Sequence, residues 1–465
     1  MIETVTCVIS FFSRVLSRAL SRVNKISFTS DLAMVILVLI VFLTASSSLA
    51  ATKRSVSISL SSDPKKGLVS AVYDEVTLIA TIRNRSNDPA TFSLQWSHKT
   101  VAFELSPPQK QSIKLLPGET KTASTSYRFA APGFVDTECR LVFSQEEVLS
   151  SKRRVGCLPE KGSVVLSQAS DFDEFWQKSL GDLRRVAPAP LTDEIEGKPN
   201  DRITTSEISL KSFGGITVRG WLEKPIDATP MKKYPAVIRV PGYGNQSRPS
   251  GNWDDMVVFS FNPRGHGNSQ DEVPGKPADY WIRGLDKKEN YFYRGAYLDC
   301  VRALDYLCSL DVIDKERIAI WGASQGGGLA LATAALDDRI ALCIADIPFL
   351  VDWDNYFKLT HWPEMDRWIG ERKSRTWEKT LRTMSYFDAM NLCDRIRCKV
   401  FMGVGLQDRI CPPTTNFTAY NRITSPKGYI IYPNKGHGLG REHTEAMWSK
   451  IREEFEVAAS SRIKK

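Results

Sequence analysis

The sequence predicts an α/β protein: a doubly wound, mostly parallel sheet preceded by a small all-β sandwich. Three observations lead there. The chain has 465 residues, more than the roughly 100–200 of one folded unit. Short alternating apolar runs fill residues 55–165 and then stop. From residue 166 to residue 465 short apolar strands alternate with helices, the pattern of a parallel sheet covered on both faces.

In the first unit the strand-like runs are Val56–Leu60, Val76–Ile82, Thr91–Trp96, Ser112–Leu116, Ala123–Phe129 and Arg140–Phe143. Turn clusters such as Asn84–Pro89 and Leu116–Glu119 separate them. Strands at this spacing suggest an antiparallel sandwich of immunoglobulin type. No catalytic constellation lies there, and its one histidine, His98, reads as a surface or satisfied side chain.

A helix opens at Asp171–Trp176, with Ser170 or Asp171 as its cap and carboxylates in its first turn. A proline-rich link, Ala187–Pro190, follows. The strands then read Tyr234–Val240, Met256–Phe261, Ile318–Trp321, Ile340–Ala345, Lys399–Gly405 and Gly428–Tyr432. Helices are expected over Tyr297–Ser309 and Gln325–Leu336.

Residues 1–50 form an address segment. The basic stretch Arg14–Lys25 precedes the apolar run Ala33–Leu43, and small residues end at Ala50. This is the pattern of a secretory signal cleaved after Ala50, which places the protein outside the cell or in the periplasm. The run is short against the roughly 20 residues of a membrane span. A membrane partner follows only if the segment is kept as an anchor. The formal charge is +9, of which this segment carries +2. The remaining charges are interspersed, with no basic stripe interleaved with aromatics, so nucleic-acid binding is not expected. Among the nine cysteines, Cys139 and Cys157 flank a candidate hairpin and could pair, and Cys393 and Cys398 are also close. Cys300, Cys308 and Cys343 read as small buried hydrophobes. No cysteine pair has C-x-x-C spacing or a nearby histidine, so no metal is expected.

The chemistry concentrates in Arg317–Leu329, a strand, tight turn and helix around Gly322-Ala323-Ser324-Gln325-Gly326. The G-x-S-x-G pattern in that context is the nucleophile elbow of an α/β-hydrolase fold. Gly322 and Gly326 give room where strand and helix cross, and Ser324 takes the strained corner. The helix from Gln325 turns free N–H groups toward the reacting centre. A serine needs a base, and there are five histidines. His266 reads as shaping its own loop, and His361 lies in a tryptophan-rich insertion. His437 follows the last strand, where the order Ser, acid, His requires the base. His443 is the runner-up and reads as a surface residue. The acid is Asp408, at the end of Lys399–Gly405, with Asp346 as the alternative. The oxyanion donors are the backbone N–H groups of Gln325 and of Tyr243, in the loop Pro241–Gly244. No cofactor is needed.

Three blocks resemble the acetyl xylan esterase/cephalosporin C deacetylase family: Tyr291–Asp299, Gly322–Leu329 and Asp346–Leu350. The Asp171–Trp176 helix is also similar to that family's start, and the likeness runs over roughly 165–460. It implies deacetylation of acetylated sugars and other small acetyl esters, with Ser324, Asp408 and His437 as triad and Tyr243 and Gln325 as oxyanion donors. Departures are visible. Pro241 stands where the family usually has histidine. The segment Tyr243–Arg264 is short enough to lack a helix, and the β-rich unit is an addition. Family members can form ring-like oligomers, so a homo-oligomer is left open. Two other readings remain: a broader carboxylesterase or peptidase, and a surface-binding protein with a spent hydrolase scaffold.

Overall fold

The computed structural model describes residues 55–101, 109–143, 148–197, 202–251, 253–273 and 279–457. The address segment 1–50 lies outside them. No described helix is long and apolar enough to cross a membrane.

The N-terminal region is strand-rich. It comprises β1 (Val56–Asp63), β2 (Leu68–Val69), β3 (Glu75–Asn84), β4 (Ala90–Lys99), β5 (Gln109–Leu115), β6 (Thr120–Arg128), β7 (Gly133–Val142) and β8 (Val148–Cys157). One sheet has the order β1-β3-β6 and a second the order β2-β8-β7-β4-β5. Alternation explains their shared core. Val76, Leu78, Ala80 and Ile82 of β3 point one way and meet Phe92, Leu94 and Trp96 of β4 in one apolar cluster. Cys139 and Cys157 sit in that cluster as free thiols. The expected pairing fails on register: in the β7–β8 hairpin Cys139 faces Ser151 and Cys157 faces Gly133. His98 is buried and satisfied, with Nδ1 2.9 Å from the Thr137 hydroxyl.

Beyond α1 (Phe172–Arg184) come β9 (Leu191–Ile195), β10 (Ile203–Lys211), β11 (Thr217–Pro225), β12 (Tyr234–Val240) and β13 (Val257–Asn262). Then follow α2 (Phe292–Ser309), β14 (Ile313–Ala323), α3 (Gln325–Leu336), β15 (Leu342–Asp346), and a helical insertion of α4 (Trp353–Leu359), α5 (Pro363–Gly370) and α6 (Trp377–Ser385). The chain finishes with β16 (Lys399–Gly405), α7 (Pro413–Arg422), β17 (Lys427–Tyr432) and α8 (Arg441–Glu454). The nine strands form one mixed sheet in the order β17-β16-β15-β14-β12-β13-β11-β10-β9. Neighbours from β17 to β13 pair in parallel, and β11, β10 and β9 extend that edge antiparallel.

The central parallel strands β12 and β13 are buried on both faces and so read as near-continuous apolar runs rather than alternating ones, with Arg239 the one charged residue in them. Cover is unequal. On one face Ile238, Ile318 and Ile320 pack with α1, α2 and α3 residues such as Trp176, Tyr297 and Leu329. On the other, Val237, Val258, Ala319 and Trp321 meet Met447, Trp448 and Ile451 of α8. Asp171 occupies the N-cap position of α1 without capping it. Its carboxylate instead pairs with the Lys288 ammonium and accepts from the neutral Tyr386 hydroxyl. Between β12 and β13 no described residue is helical, as the short segment foretold.

All eight cysteines of the described residues are free. Burial pushes the thiol of Cys139 up to about 12 and that of Cys398 up to about 12, which disfavours the thiolate needed for disulfide exchange. Unfolding the protein without reductant is therefore expected to expose the eight thiols of residues 139–411 to a colorimetric reagent. Dithiothreitol should leave the Tm unchanged; a lower Tm under reduction would reveal a disulfide.

Candidate active site

The site is assembled on the C-terminal ends of β14, β16 and β17. Ser324 joins β14 to α3 with φ 59° and ψ −122°. A side chain with a Cβ avoids this region, and such a residue persists only when its neighbours hold it. Here they do. Ser324 N–H donates to the Asp346 carbonyl at 2.9 Å, and its own carbonyl accepts from Phe349 N–H at 2.9 Å. A Cβ on Gly322 would run into the Gly326 carbonyl, and one on Gly326 would sit 2.5 Å from Val240 O. The two glycines are therefore required by the crossing of strand and helix.

Three side chains predicted from widely separated motifs meet here. His437 Nε2 lies 3.0 Å from Ser324 Oγ, and its Nδ1 lies 2.8 Å from Asp408 Oδ2. Asp408 is fully buried. Its other oxygen accepts from Ile410 N–H at 2.8 Å and Cys411 N–H at 3.0 Å. The carboxylate is thus fixed in orientation, and so is the imidazole it faces.

Gln325 is the first residue of α3, so its N–H has no intrahelical acceptor. Its side chain is locked: Oε1 accepts from the Tyr293 hydroxyl at 2.8 Å, and Nε2 lies 2.8 Å from His266 Nε2. His266 Nδ1 is 3.0 Å from the Arg264 carbonyl. A carbonyl only accepts, so Nδ1 carries the proton and Nε2 accepts from Gln325. Burial keeps this imidazole neutral, its pKa pushed down to about 4. His266 therefore shapes the loop and braces the elbow. Tyr243 lies in a turn closed by Asn245 N–H to Gly242 O at 3.1 Å. That turn passes close to the serine: a Cβ on Gly242 would stand 3.8 Å from Ser324 Cβ. The Tyr243 ring packs edge-on to Tyr280 and Trp362.

His443 was expected at the surface and is instead buried. Its Nε2 faces Asp346 Oδ1 at 2.8 Å and its Nδ1 the Tyr432 hydroxyl at 3.0 Å. Asp346 also accepts from Trp321 Nε1 at 2.8 Å and Gly403 N–H at 3.0 Å. The alternative acid and the runner-up base have therefore found each other, away from Ser324. The apolar face of α8 draws His443 inward. His361 is exposed and faces Asp366.

Two contributors escaped the sequence reading. The buried Cys411 places Sγ 3.9 Å from Ser324 Oγ. With Asp408 and His437 it makes the one His/Cys/Asp/Glu cluster of metal-ligand spacing among the described residues. Two of its three members already bond to each other, and burial holds the thiol protonated. The second contributor comes from β8. Arg154 Nη1 donates to the Asp408 carbonyl at 2.6 Å while its fork grips both oxygens of Asp136 at 2.9 and 2.8 Å. Its main chain exchanges hydrogen bonds with the Gln407 amide, which also donates to Pro433 O at 2.9 Å. Arg153 reaches Asn434 Oδ1 at 3.2 Å. The N-terminal sheets thus hold both the Asp408 loop and the His437 loop. No local pattern signals this, because the partners are more than 250 residues apart.

Fold and site together are those of an α/β-hydrolase enzyme. The acetyl xylan esterase (AXE1) family model matches residues 165–454, and the chain belongs to that family. An acetyl esterase, Axe7A, of Xylanibacter ruminicola is 29% identical over 371 residues, 75% of this chain and 82% of its own. The acetyl xylan esterase from a Paenibacillus species superposes with TM-score 0.59 at 30% identity, covering 63% of this chain and 98% of its own. Acetyl xylan esterase 1 of a Thermoanaerobacterium species gives 0.58 at 29%, covering 64% and 98%. These relatives make the protein a carboxylic-ester hydrolase.

Replacing Arg154 with alanine frees the Asp408 loop without touching the serine. Small misplacements at a reacting centre cost up to about 100-fold. The variant is expected to lose roughly 10- to 100-fold in kcat on p-nitrophenyl acetate, with KM little changed. Arg154→Lys should recover part of that loss. An unaltered kcat in a folded Arg154→Ala protein would show that the clamp is not needed.

Proposed function

We propose that the protein is an exported acetyl esterase that removes acetyl groups from acetylated carbohydrates through Ser324, His437 and Asp408. The unbroken hydrogen-bond series from Asp408 through His437 to Ser324, on an elbow that exposes the serine, carries this reading.

Ser324 Oγ attacks the acetyl carbonyl carbon and gives its proton to His437 Nε2. Asp408 keeps His437 in the tautomer with the proton on Nδ1 and stabilises the imidazolium without taking the proton. The carbonyl oxygen becomes an oxyanion, held by the N–H groups of Tyr243 and Gln325. Each such donor is typically worth about 2.7–4 kcal/mol in the transition state. The carbon–oxygen bond to the sugar breaks as His437 Nε2 passes its proton to the departing oxygen. Water then gives a proton to His437 and attacks the acetyl-serine, and acetate leaves as Ser324 regains its proton. No cofactor takes part. The strand-rich region, read as an immunoglobulin-type unit spanning 55–165, serves this site by holding two of its loops. Export is supported by the basic, apolar and small-residue pattern of residues 1–50.

Ser324→Ala is expected to lower turnover of p-nitrophenyl acetate by on the order of 10⁶, as in other triads, and to abolish labelling by a fluorophosphonate. Butyryl esters should turn over more slowly than acetyl esters, and peptide amides not measurably. Full activity in Ser324→Ala would overturn the mechanism, and equal rates across acyl lengths would favour a broader carboxylesterase.

A further inference from the structure

The unequal cover of the sheet leaves a gap, and the gap contains an arginine whose guanidinium makes no hydrogen bond or ion pair. Parallel neighbours such as β12 and β13 are ordinarily joined by a crossover helix that lies on the sheet. Here the described residues between them are coil, and α8, with Trp253 of that coil packed on Trp448, covers the face that bears Val237 and Trp321. What remains is a cleft of about 520 Å³. One wall is the coil from Val240 to Arg248, the other the loop and helix start from His437 to Thr444. The floor is made by the ends of β12, β14 and β15.

Arg239, near the end of β12, lines this cleft; its main chain is paired in the sheet, but its guanidinium makes no hydrogen bond or ion pair with any described residue. Burying an unpaired guanidinium is costly, and burial opposes its charge here. Glu223 favours that charge from a distance, but its carboxylate is occupied by the N–H groups of Ser250 and Gly251 and the Ser250 hydroxyl. Asp346 on the floor is occupied too, by Trp321, Gly403 and His443. Two further cations stand at the cleft. Arg248 lines it, and the Lys435 ammonium lies 3.5 Å from where a Cβ on Gly440 would be. The free charge facing the cleft is positive.

The cleft also reaches the reacting groups, since His437, Gly242 and Ala323 are part of its wall. In the mechanism above His437 hands its proton to the departing alcohol, so the alcohol half of the ester lies against His437. We propose that this cleft is a subsite for an anionic leaving group: a carboxylate on the sugar, as in an acetylated oligosaccharide bearing a uronic acid, pairs with Arg239, with Arg248 beside it. An arginine fork suits a carboxylate, which it can bind through two parallel hydrogen bonds. The inference rests on the esterase reading and specifies its substrate.

The test compares kcat/KM for an acetylated oligosaccharide carrying a uronic acid with that for a matched neutral one. Wild type, Arg239→Gln and Arg239→Lys are measured, with thermal melting as a folding check. Wild type is expected to prefer the acidic substrate by about tenfold, mostly through KM, the size of one charge-assisted pair. Arg239→Gln should erase that preference and Arg239→Lys keep part of it. Absence of a preference in wild type, or an equal preference in Arg239→Gln, overturns the subsite. If no acetyl ester is turned over at all, the esterase reading itself fails. The subsite is then decided by calorimetry of the deacetylated uronate oligosaccharide: weaker binding to Arg239→Gln supports it, and equal binding overturns it.

Discussion

The left-handed backbone at Ser324 costs roughly 1–3 kcal/mol and is held from every side. β15 supplies the carbonyl that fixes its N–H, and the segment after β15 supplies the N–H that fixes its carbonyl. Gly322 and Gly326 let the strand, the helix and the end of β12 come within contact of one another. Because three loops converge on this corner, the positions of the acid, the base and the oxyanion turn are all set relative to it. A looser corner would leave each of them correct in identity and wrong in place.

Two aspartate–histidine pairs stand near one another at the ends of the strands, and their surroundings separate their roles. In the first, the base keeps one nitrogen toward the serine, and its side chain is 28% exposed. In the second, both nitrogens of His443 face partners, and the side chains of His443 and Asp346 are only 3% and 4% exposed. The second pair sets His443 of α8 against the end of β15, and its burial keeps both nitrogens from substrate. Sequence order alone admitted either pair, and the packing of α8 distinguishes them.

Much of this was legible from the chain. The parallel strands carry mostly apolar runs, so Tyr234–Val240 and Lys399–Gly405 could be bounded to the residue even though Arg239 and Lys399 lie within them. The elbow and the late histidine follow from spacing and order. The role of β8 was not legible, because its Lys152-Arg153-Arg154 run looks like a solvated edge of the hairpin between Cys139 and Cys157. Both arginines are in fact buried against loops from the other end of the chain. Cys411 escaped for a similar reason: a lone cysteine beside two prolines carries no periodic signal, and only the fold brings it to the serine. Charge and distance in space decide such residues, and neither is written locally.

The Arg153–Arg154 grip also has a consequence in time. Synthesis runs from the N-terminus, so the strand that braces the acid and base loops is made long before either loop exists. Their contacts span 253 to 281 residues, and close only when nearly the whole chain has left the ribosome. A truncated product would carry the serine on its elbow and the bracing strand, but not the histidine that the brace holds in place. Hydrolytic competence is therefore the last property the growing polypeptide acquires, which keeps incomplete chains chemically silent.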